Sequence, residues 1–145
     1  MSLLIREMQA GDVPSVYKLQ EMLAFQKWSE AQILAEIFLP CAVTKVAYDG
    51  GLLVGYAIFH VIADEAELLS IAVDPTRQRE GIAKAIYAET LSELKSREVQ
   101  TLFLEVRVRN IGAQQFYQSL GFVETYRRKR YYADGEDAVI MKGSL

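Results

Sequence analysis

Leu68-Leu69-Ser70-Ile71-Ala72-Val73-Asp74-Pro75-Thr76-Arg77-Gln78-Arg79-Glu80-Gly81-Ile82-Ala83-Lys84 is the stretch on which the reading of the whole chain turns. Leu68 to Val73 is an apolar run of strand length, and Asp74-Pro75 breaks it. A short polar turn follows. Ala83, Ile86, Tyr87, Thr90, Leu91 and Leu94 then recur at helical spacing. A strand feeding a turn that opens a helix leaves unpaired backbone N–H groups at the positive end of the helix dipole, which makes an anion site. Arg77 and Arg79 add charge to the turn, and Gly81 lets a ligand approach the backbone closely. The expectation is a phosphate-bearing cofactor held at this turn.

C-terminal to this unit, Thr101 to Val108 reads as a strand with Leu102, Leu104, Val106 and Val108 on one side and Phe103, Glu105 and Arg107 on the other. With a helix between them, it and the Leu68–Val73 strand are expected to run parallel through a right-handed crossover. Asn110 caps a further helix that turns Ala113, Phe116 and Leu120 inward and ends at Gly121. Phe122 to Tyr132 and Ala138 to Lys142 form a last antiparallel pair around Asp134-Gly135.

N-terminal to it, Ala42 to Tyr48 and Leu52 to Ile62 are joined by Asp49-Gly50-Gly51, a hairpin signal. The second run is apolar on both faces, as a covered central strand would be, and Asp64-Glu65 turns the chain into Leu68. Leu3 to Met8 reads as a first strand. A helix starts with Asp12 as its cap and Pro14 in its first turn, and carries Val16, Leu19 and Leu23 on one face. Ser29-Glu30-Ala31-Gln32 is a capping box for a second helix striped by Ile33, Leu34, Ile37 and Phe38 and ended by Pro40. The expected architecture is one α/β (α+β) domain over residues 1–145. Its central mixed sheet is mostly antiparallel, has one parallel strand pair, and is flanked by four helices.

Composition narrows the function classes. The 145 residues suffice for one domain with its own core, and 51% apolar with 24% charged residues is ordinary for a folded globular chain. A net charge of −3 disfavours wholesale nucleic-acid binding through a basic surface. One cysteine, Cys41, cannot form an internal disulfide, which fits a reducing, cytoplasmic setting. Arg6-Glu7 interrupts the short apolar start, so no secretory signal is expected, and no run approaches the ~20 apolar residues of a membrane span.

Two familiar phosphate loops do not fit. Gly81 is followed by Ile82-Ala83 rather than Lys-Ser/Thr, and a single glycine is no dinucleotide fingerprint. What stands here is Gln78-Arg79-Glu80-Gly81-Ile82-Ala83, of the form Q/R-x-x-G-x-G/A. With Ile71-Ala72-Val73-Asp74-Pro75 before it and this element order around it, it resembles the acyl-CoA loop of the GNAT superfamily of N-acetyltransferases, over nearly the whole chain. The resemblance implies acetyl-CoA as cosubstrate and no metal. It implies that backbone N–H groups of Arg79 to Lys84 hold the pyrophosphate, making Gln78, Arg79, Glu80, Gly81, Ile82, Ala83 and Lys84 cofactor-binding. It also implies that Ile71, Ala72 and Val73 pair with the pantetheine arm, the Val73 N–H polarising the thioester carbonyl. For Arg77 and Arg79, two solvated surface charges remain an equally simple account.

Acetyl transfer to an amine requires that an ammonium lose a proton, that an oxyanion be stabilised and that a thiolate leave protonated. An α-amino group with pKa of ~7.7–8.0 is already about one-tenth neutral at pH 7, whereas a lysine at ~10.4 is neutral only about once in two thousand. A modest base therefore suffices for an N-terminal amine. Glu105 is the base candidate, on the strand beside the cofactor strand; a cross-strand ion pair is an equal account of it. Tyr117 is the acid candidate, one helical turn past Ala113. On its position alone, a core-edge aromatic beside Phe116 is the better account.

Leu104-Glu105-Val106-Arg107, Asn110, and Phe116-Tyr117-Gln118-Ser119-Leu120-Gly121-Phe122 narrow the resemblance to the RimI-type ribosomal-protein-alanine N-acetyltransferases. Arg130-Tyr131-Tyr132, Gly135-Glu136-Asp137-Ala138 with Met141, and Phe25 with Trp28-Ser29-Glu30 extend it. The chain departs from that pattern at Lys27, where proline is common, and at Ser70, where asparagine is common. The resemblance implies Glu105 as general base, Tyr117 as general acid and Asn110 as a CoA contact. It implies an acceptor slot bordered by Phe25, Trp28 and Tyr131, and as acceptor the N-terminal alanine of a small-subunit ribosomal protein. No nucleic-acid or membrane partner follows, and the oligomeric state is left open. Other readings are a GNAT enzyme acting on other N-termini or a small amine, and a non-catalytic CoA-binding sensor. His60 reads as a packed or edge histidine and Cys41 as a small hydrophobe. Arg127-Arg128-Lys129-Arg130 reads as a solvated strand face pairing with Glu136 and Asp137.

Overall fold

The computed structural model describes residues 2–23 and 28–145. Among the described residues seven strands form one sheet: β1 (Leu3–Glu7), β2 (Ala42–Asp49), β3 (Leu52–Ile62), β4 (Glu65–Val73), β5 (Thr101–Arg107), β6 (Val123–Arg128) and β7 (Ala138–Gly143). Their order is β1-β2-β3-β4-β5-β7-β6, antiparallel throughout except for β4 with β5. The helices are α1 (Val13–Glu21), α2 (Glu30–Phe38), α3 (Ile82–Ser96) and α4 (Ile111–Ser119). The mixed sheet, the single parallel pair and the four helices are those expected. Among the described residues no helix is long and apolar enough to cross a membrane.

Alternation along the strands builds a core on each face of the sheet. On one face Ala57, Phe59, Leu68, Leu102 and Leu104 pack with Ile82, Ile86, Tyr87 and Leu94 of α3. On the other, Val46, Tyr56, Ile58 and Ala72 pack with Val13, Val16 and Leu19 of α1 and Ile33 of α2. Seven consecutive residues of β3, Leu53 to Phe59, are buried, so its two apolar faces are both covered. Gly55 lies where α3 crosses. A Cβ there would stand 2.9 Å from Ile86 Cδ1 and 3.1 Å from the Ala72 carbonyl oxygen, so the residue allows close helix–sheet contact.

Several local expectations are corrected. Asp12 does not cap α1 through its side chain. It is buried instead, accepting from Arg6 Nη1 at 2.7 Å, Arg6 Nη2 at 2.9 Å, Tyr48 Oη at 2.6 Å and the Gln9 N–H at 2.7 Å. The Ser29–Gln32 capping box of α2 is present, but of the expected stripe only Ile33 is fully buried; Phe38 is 73% exposed. On α4, Phe116 turns outward, and Tyr117 takes the inward place with Ala113 and Leu120. β4 begins at Glu65, earlier than Leu68, because the turn is completed at Ala63 with φ +54°. β6 stops at Arg128, and positive φ at Arg130 takes Tyr131 and Tyr132 out of the strand. The basic run pairs differently from the expectation: Arg127 with Glu124 at 3.2 Å, and Arg128 reaching Glu105 at 3.8 Å.

Candidate active site

The site originates where the parallel pair comes apart. β4 and β5 are in register at Glu65–Thr101, Ala66–Leu102 and Glu67–Phe103, and no farther. Beyond that rung β4 shifts register against β3 between Ile58 and Phe59, an irregularity that bends a strand, while β5 stays paired with β7 through Arg107. The two facing edges separate into a wedge. The Asp74 N–H donates to the Val54 carbonyl at 2.9 Å, so Asp74 faces β3. Antiparallel alternation then turns Ala72 toward β3 as well, and points the N–H groups of Ile71 and Val73 into the wedge. An unpaired strand edge there can take an extended, amide-bearing ligand as a further strand.

At the end of β4, Asp74 Oδ1 accepts from the Thr76 N–H at 2.9 Å and from Thr76 Oγ1 at 2.8 Å, holding the turn. Arg79 (φ +68°) and Gly81 (φ +81°) take left-handed conformations just before α3. Gly81 caps the helix without a side chain, and the first helical bond runs from the Ala85 N–H to the Gly81 carbonyl at 3.0 Å. The N–H groups of Ile82, Ala83 and Lys84 therefore have no acceptor within the helix. A Cβ at Gly81 would meet nothing within 4 Å, so the approach is open. Arg77 does not serve as a free cation: its guanidinium pairs with Asp49 at 2.6 Å and Glu80 at 3.0 Å. Backbone N–H groups at a left-handed turn and helix start fit a pyrophosphate.

A cavity of about 1130 Å³ joins these parts. Of the residues expected at the cofactor, Ile71, Ala72, Val73, Gln78, Arg79, Gly81, Ile82, Ala83, Lys84 and Asn110 line it; Glu80 does not, its carboxylate being turned to Arg77. Glu105 and Tyr117 both line the same cavity, as does Trp28. Tyr131 stands outside the lining but interacts with Glu105: hydrogen bonding to Glu105, then its charge, raises the Tyr131 pKa. Phe25 lies outside the described residues. Asn110 Oδ1 caps α4 by accepting from the Ala113 N–H at 3.1 Å. Among the described residues no group of three or more His, Cys, Asp or Glu could hold a metal ion. His60 Nε2 lies 2.6 Å from Glu36 Oε2, tying β3 to α2.

Electrostatics separates the groups in and beside the cavity. Burial first, then the charges of Tyr56 and Tyr132, push the Tyr117 phenol up to about 12. Glu67, which shares the Phe103 rung, has its carboxyl pKa raised by burial and by the charge of Glu105. Arg107, Tyr132 and Ser70 also line the cavity. Ser70 Oγ lies 2.7 Å from Tyr56 Oη. Period-two patterning marked Arg107 as sharing the Glu105 face; Tyr132 was assigned to a strand that ends before it.

Against known proteins, residues 4–122 match the family model described as Acetyltransferase (GNAT) family. The chain is 39% identical over 143 residues to the [ribosomal protein bS18]-alanine N-acetyltransferase of Escherichia coli (strain K12), covering 94% of each chain. The crystal structure of the ribosomal-protein-S18-alanine N-acetyltransferase from Escherichia coli superposes with a TM-score of 0.85 at 35% identity, over 99% of this chain and 94% of that one. The PaiA N-acetyltransferase of Thermoplasma acidophilum in complex with coenzyme A has the same fold, with a TM-score of 0.84 at 20% identity over the full length of both chains. The chain belongs to the GNAT family, as an acetyl-CoA-dependent N-acetyltransferase similar to the RimI-type enzymes.

Proposed function

We propose that residues 1–145 act as one acetyltransferase domain that acetylates the N-terminal alanine of a small-subunit ribosomal protein, the acceptor named for its 39%-identical relative. The observation that carries the reading is the wedge. A free β4 edge and the α3 N-terminus meet in one cavity with Glu105 on the opposite strand and Tyr117 on α4. A ribosomal acceptor and a lone free cysteine fit a cytoplasmic setting.

Transfer is direct, in a ternary complex. Glu105 takes the proton from the acceptor ammonium, itself or through one water, freeing the amine to attack the thioester carbonyl. The Val73 N–H, aimed into the wedge, hydrogen-bonds the carbonyl oxygen as negative charge builds there. Tyr117 stays protonated across the working pH range and donates to the departing sulfur. Its pKa lies above the ~8.5 of a thiol, so hydrogen-bonding the developing thiolate is favoured over complete transfer before the C–S bond breaks. Trp28 and Tyr132 wall the acceptor side, with Tyr131 beside Glu105.

Single-turnover mass spectrometry with peptides beginning Ala-Arg and with peptides carrying only an internal lysine tests the assignment. Modification of the α-amine alone is expected, and equal modification of both would overturn it.

A further inference from the structure

The loop joining β6 to β7 is held beside the cavity by the Arg107 guanidinium of β5 and by two backbone N–H groups just past that strand. Arg107 Nη1 donates to Asp134 Oδ2 and to Glu136 Oε1, both at 2.9 Å, and its Cζ stands 4.0 Å from the centroid of the Tyr132 ring. Glu136 Oε2 also accepts the Arg109 N–H at 2.9 Å, and the Val108 N–H donates to the Asp137 carbonyl at 3.1 Å. Within the loop, Glu136 N–H reaches Asp134 Oδ1 at 3.0 Å and Tyr132 N–H reaches the Glu136 carbonyl at 3.2 Å. The loop is thus compact in itself and fastened to β5 at the point where that strand ends.

We propose that Arg107 is a positioning residue that latches the 129–137 loop to the strand carrying Glu105, and so sets the acceptor wall formed by Tyr132. Arg107 and Glu105 are two residues apart on one face of β5, so the wall is placed relative to the base by the shortest structural connection available. A lysine cannot do the same: one nitrogen, Nη1, holds both carboxylates, but the guanidinium plane also lies over the Tyr132 ring, and an ammonium has no such plane. The inference rests on the reading that the acceptor enters on the Tyr132 side.

Arg107→Ala, Arg107→Lys and Glu136→Gln test it, using the full chain with acetyl-CoA and an Ala-Arg peptide. Hydrogen exchange over residues 129–137 should rise in all three, most in Arg107→Ala. The peptide KM should rise about tenfold in Arg107→Ala, a loss of one decade in affinity, with the acetyl-CoA KM unmoved. Arg107→Lys should give little rescue. Unchanged loop exchange in Arg107→Ala overturns the proposal, and so does an equal rise in both KM values, which a merely structural role would produce. If the wild-type protein acetylates no peptide amine, the functional reading falls, while the exchange measurement still decides whether Arg107 holds the loop.

Discussion

Glu67 and Phe103 face each other across the last rung at which β4 and β5 are paired. Two residues farther along β5 stands Glu105, and beyond the same rung β4 offers a free edge ending at Val73. One divergence of two strands therefore opens a slot that fits an extended ligand and places a carboxylate across from it. The proposed chemistry follows from where the ladder stops.

Glu105→Gln keeps the size of the side chain and removes the proton acceptor. With Glu105 as base, kcat should fall by about 10²–10³-fold. Acetyl-CoA should bind as before, because its proposed contacts lie on β4, on the turn into α3, on α3 itself and at Asn110, and none is Glu105. Steady-state CoA release together with titration calorimetry checks both halves. Wild-type turnover in this variant would remove Glu105 from the role.

Tyr117→Phe leaves the ring contacts with Phe116 and Phe122, at 5.5 and 6.1 Å between centroids, and deletes only the hydroxyl. The melting temperature should stay close to wild type while kcat falls by about 100-fold. Because burial and neighbouring tyrosines hold this phenol at about 12, the wild-type rate should show no Tyr117-dependent decline up to roughly pH 10. A descending limb near pH 8 to 9 that Tyr117→Phe abolishes would refute the assignment of so high a pKa.

Much of this was legible from the residues, for physical reasons that differ by element. β3 and α3 announce themselves because burial on both faces, or on one helical face, imposes a long periodic pattern, as in Leu53 to Phe59 and Ile82 to Leu94. The turn at Gln78 to Ala83 was readable because its backbone demands a glycine at φ +81°. By contrast, the sequence adds Arg77 to the anion turn, whereas Asp49, 28 residues away, holds it at 2.6 Å. Phe116 and Tyr117 are adjacent aromatics, and only the rotation of α4 decides which faces the core. The expected strand through Tyr132 overruns the end of β6 at Arg128 for the same kind of reason. The strand ends before Arg130 turns to positive φ, and the Arg107 contacts that hold the loop beyond it join residues far apart in the chain, which no local pattern reports.

Asp12 contributes a pH-dependent share of stability. Burial opposes its ionisation but is outweighed by hydrogen bonds from Arg6, Tyr48 and the Gln9 N–H, which bring its pKa down to about 2. An unfolded aspartate titrates near ~3.9. The folded value is the lower one, so the stabilisation, about 2 kcal/mol, is complete above ~pH 4 and is lost as pH falls through about 2. Asp12→Asn should lower the melting temperature by roughly 5 °C at neutral pH. The gap to wild type should close as acid titrates the native carboxylate; a gap constant from pH 7 to pH 2 would show that its charge is not the cause.

Gly55→Ala tests whether helix–sheet spacing, rather than any side chain at the cavity, governs cosubstrate binding. Gly55 is buried in β3 and lines no part of the cavity. An added Cβ would stand 2.9 Å from Ile86 Cδ1, 3.1 Å from the Ala72 carbonyl oxygen and 3.3 Å from Ile82 Cγ2. The Ile86 methyl can rotate aside, but the Ala72 carbonyl is backbone, and Ile82 is the first residue of α3. Relief therefore requires α3 to lift from the sheet or β4 to shift, at a cost of about 1–3 kcal/mol. Either movement changes the distance between the free β4 edge and the α3 N-terminus, the two parts proposed to hold one molecule of acetyl-CoA together. The acetyl-CoA KM should rise several-fold more than the peptide KM, alongside a lower melting temperature. A stable variant with both KM values unchanged would show that the cosubstrate tolerates a wider gap between β4 and α3 than this packing implies.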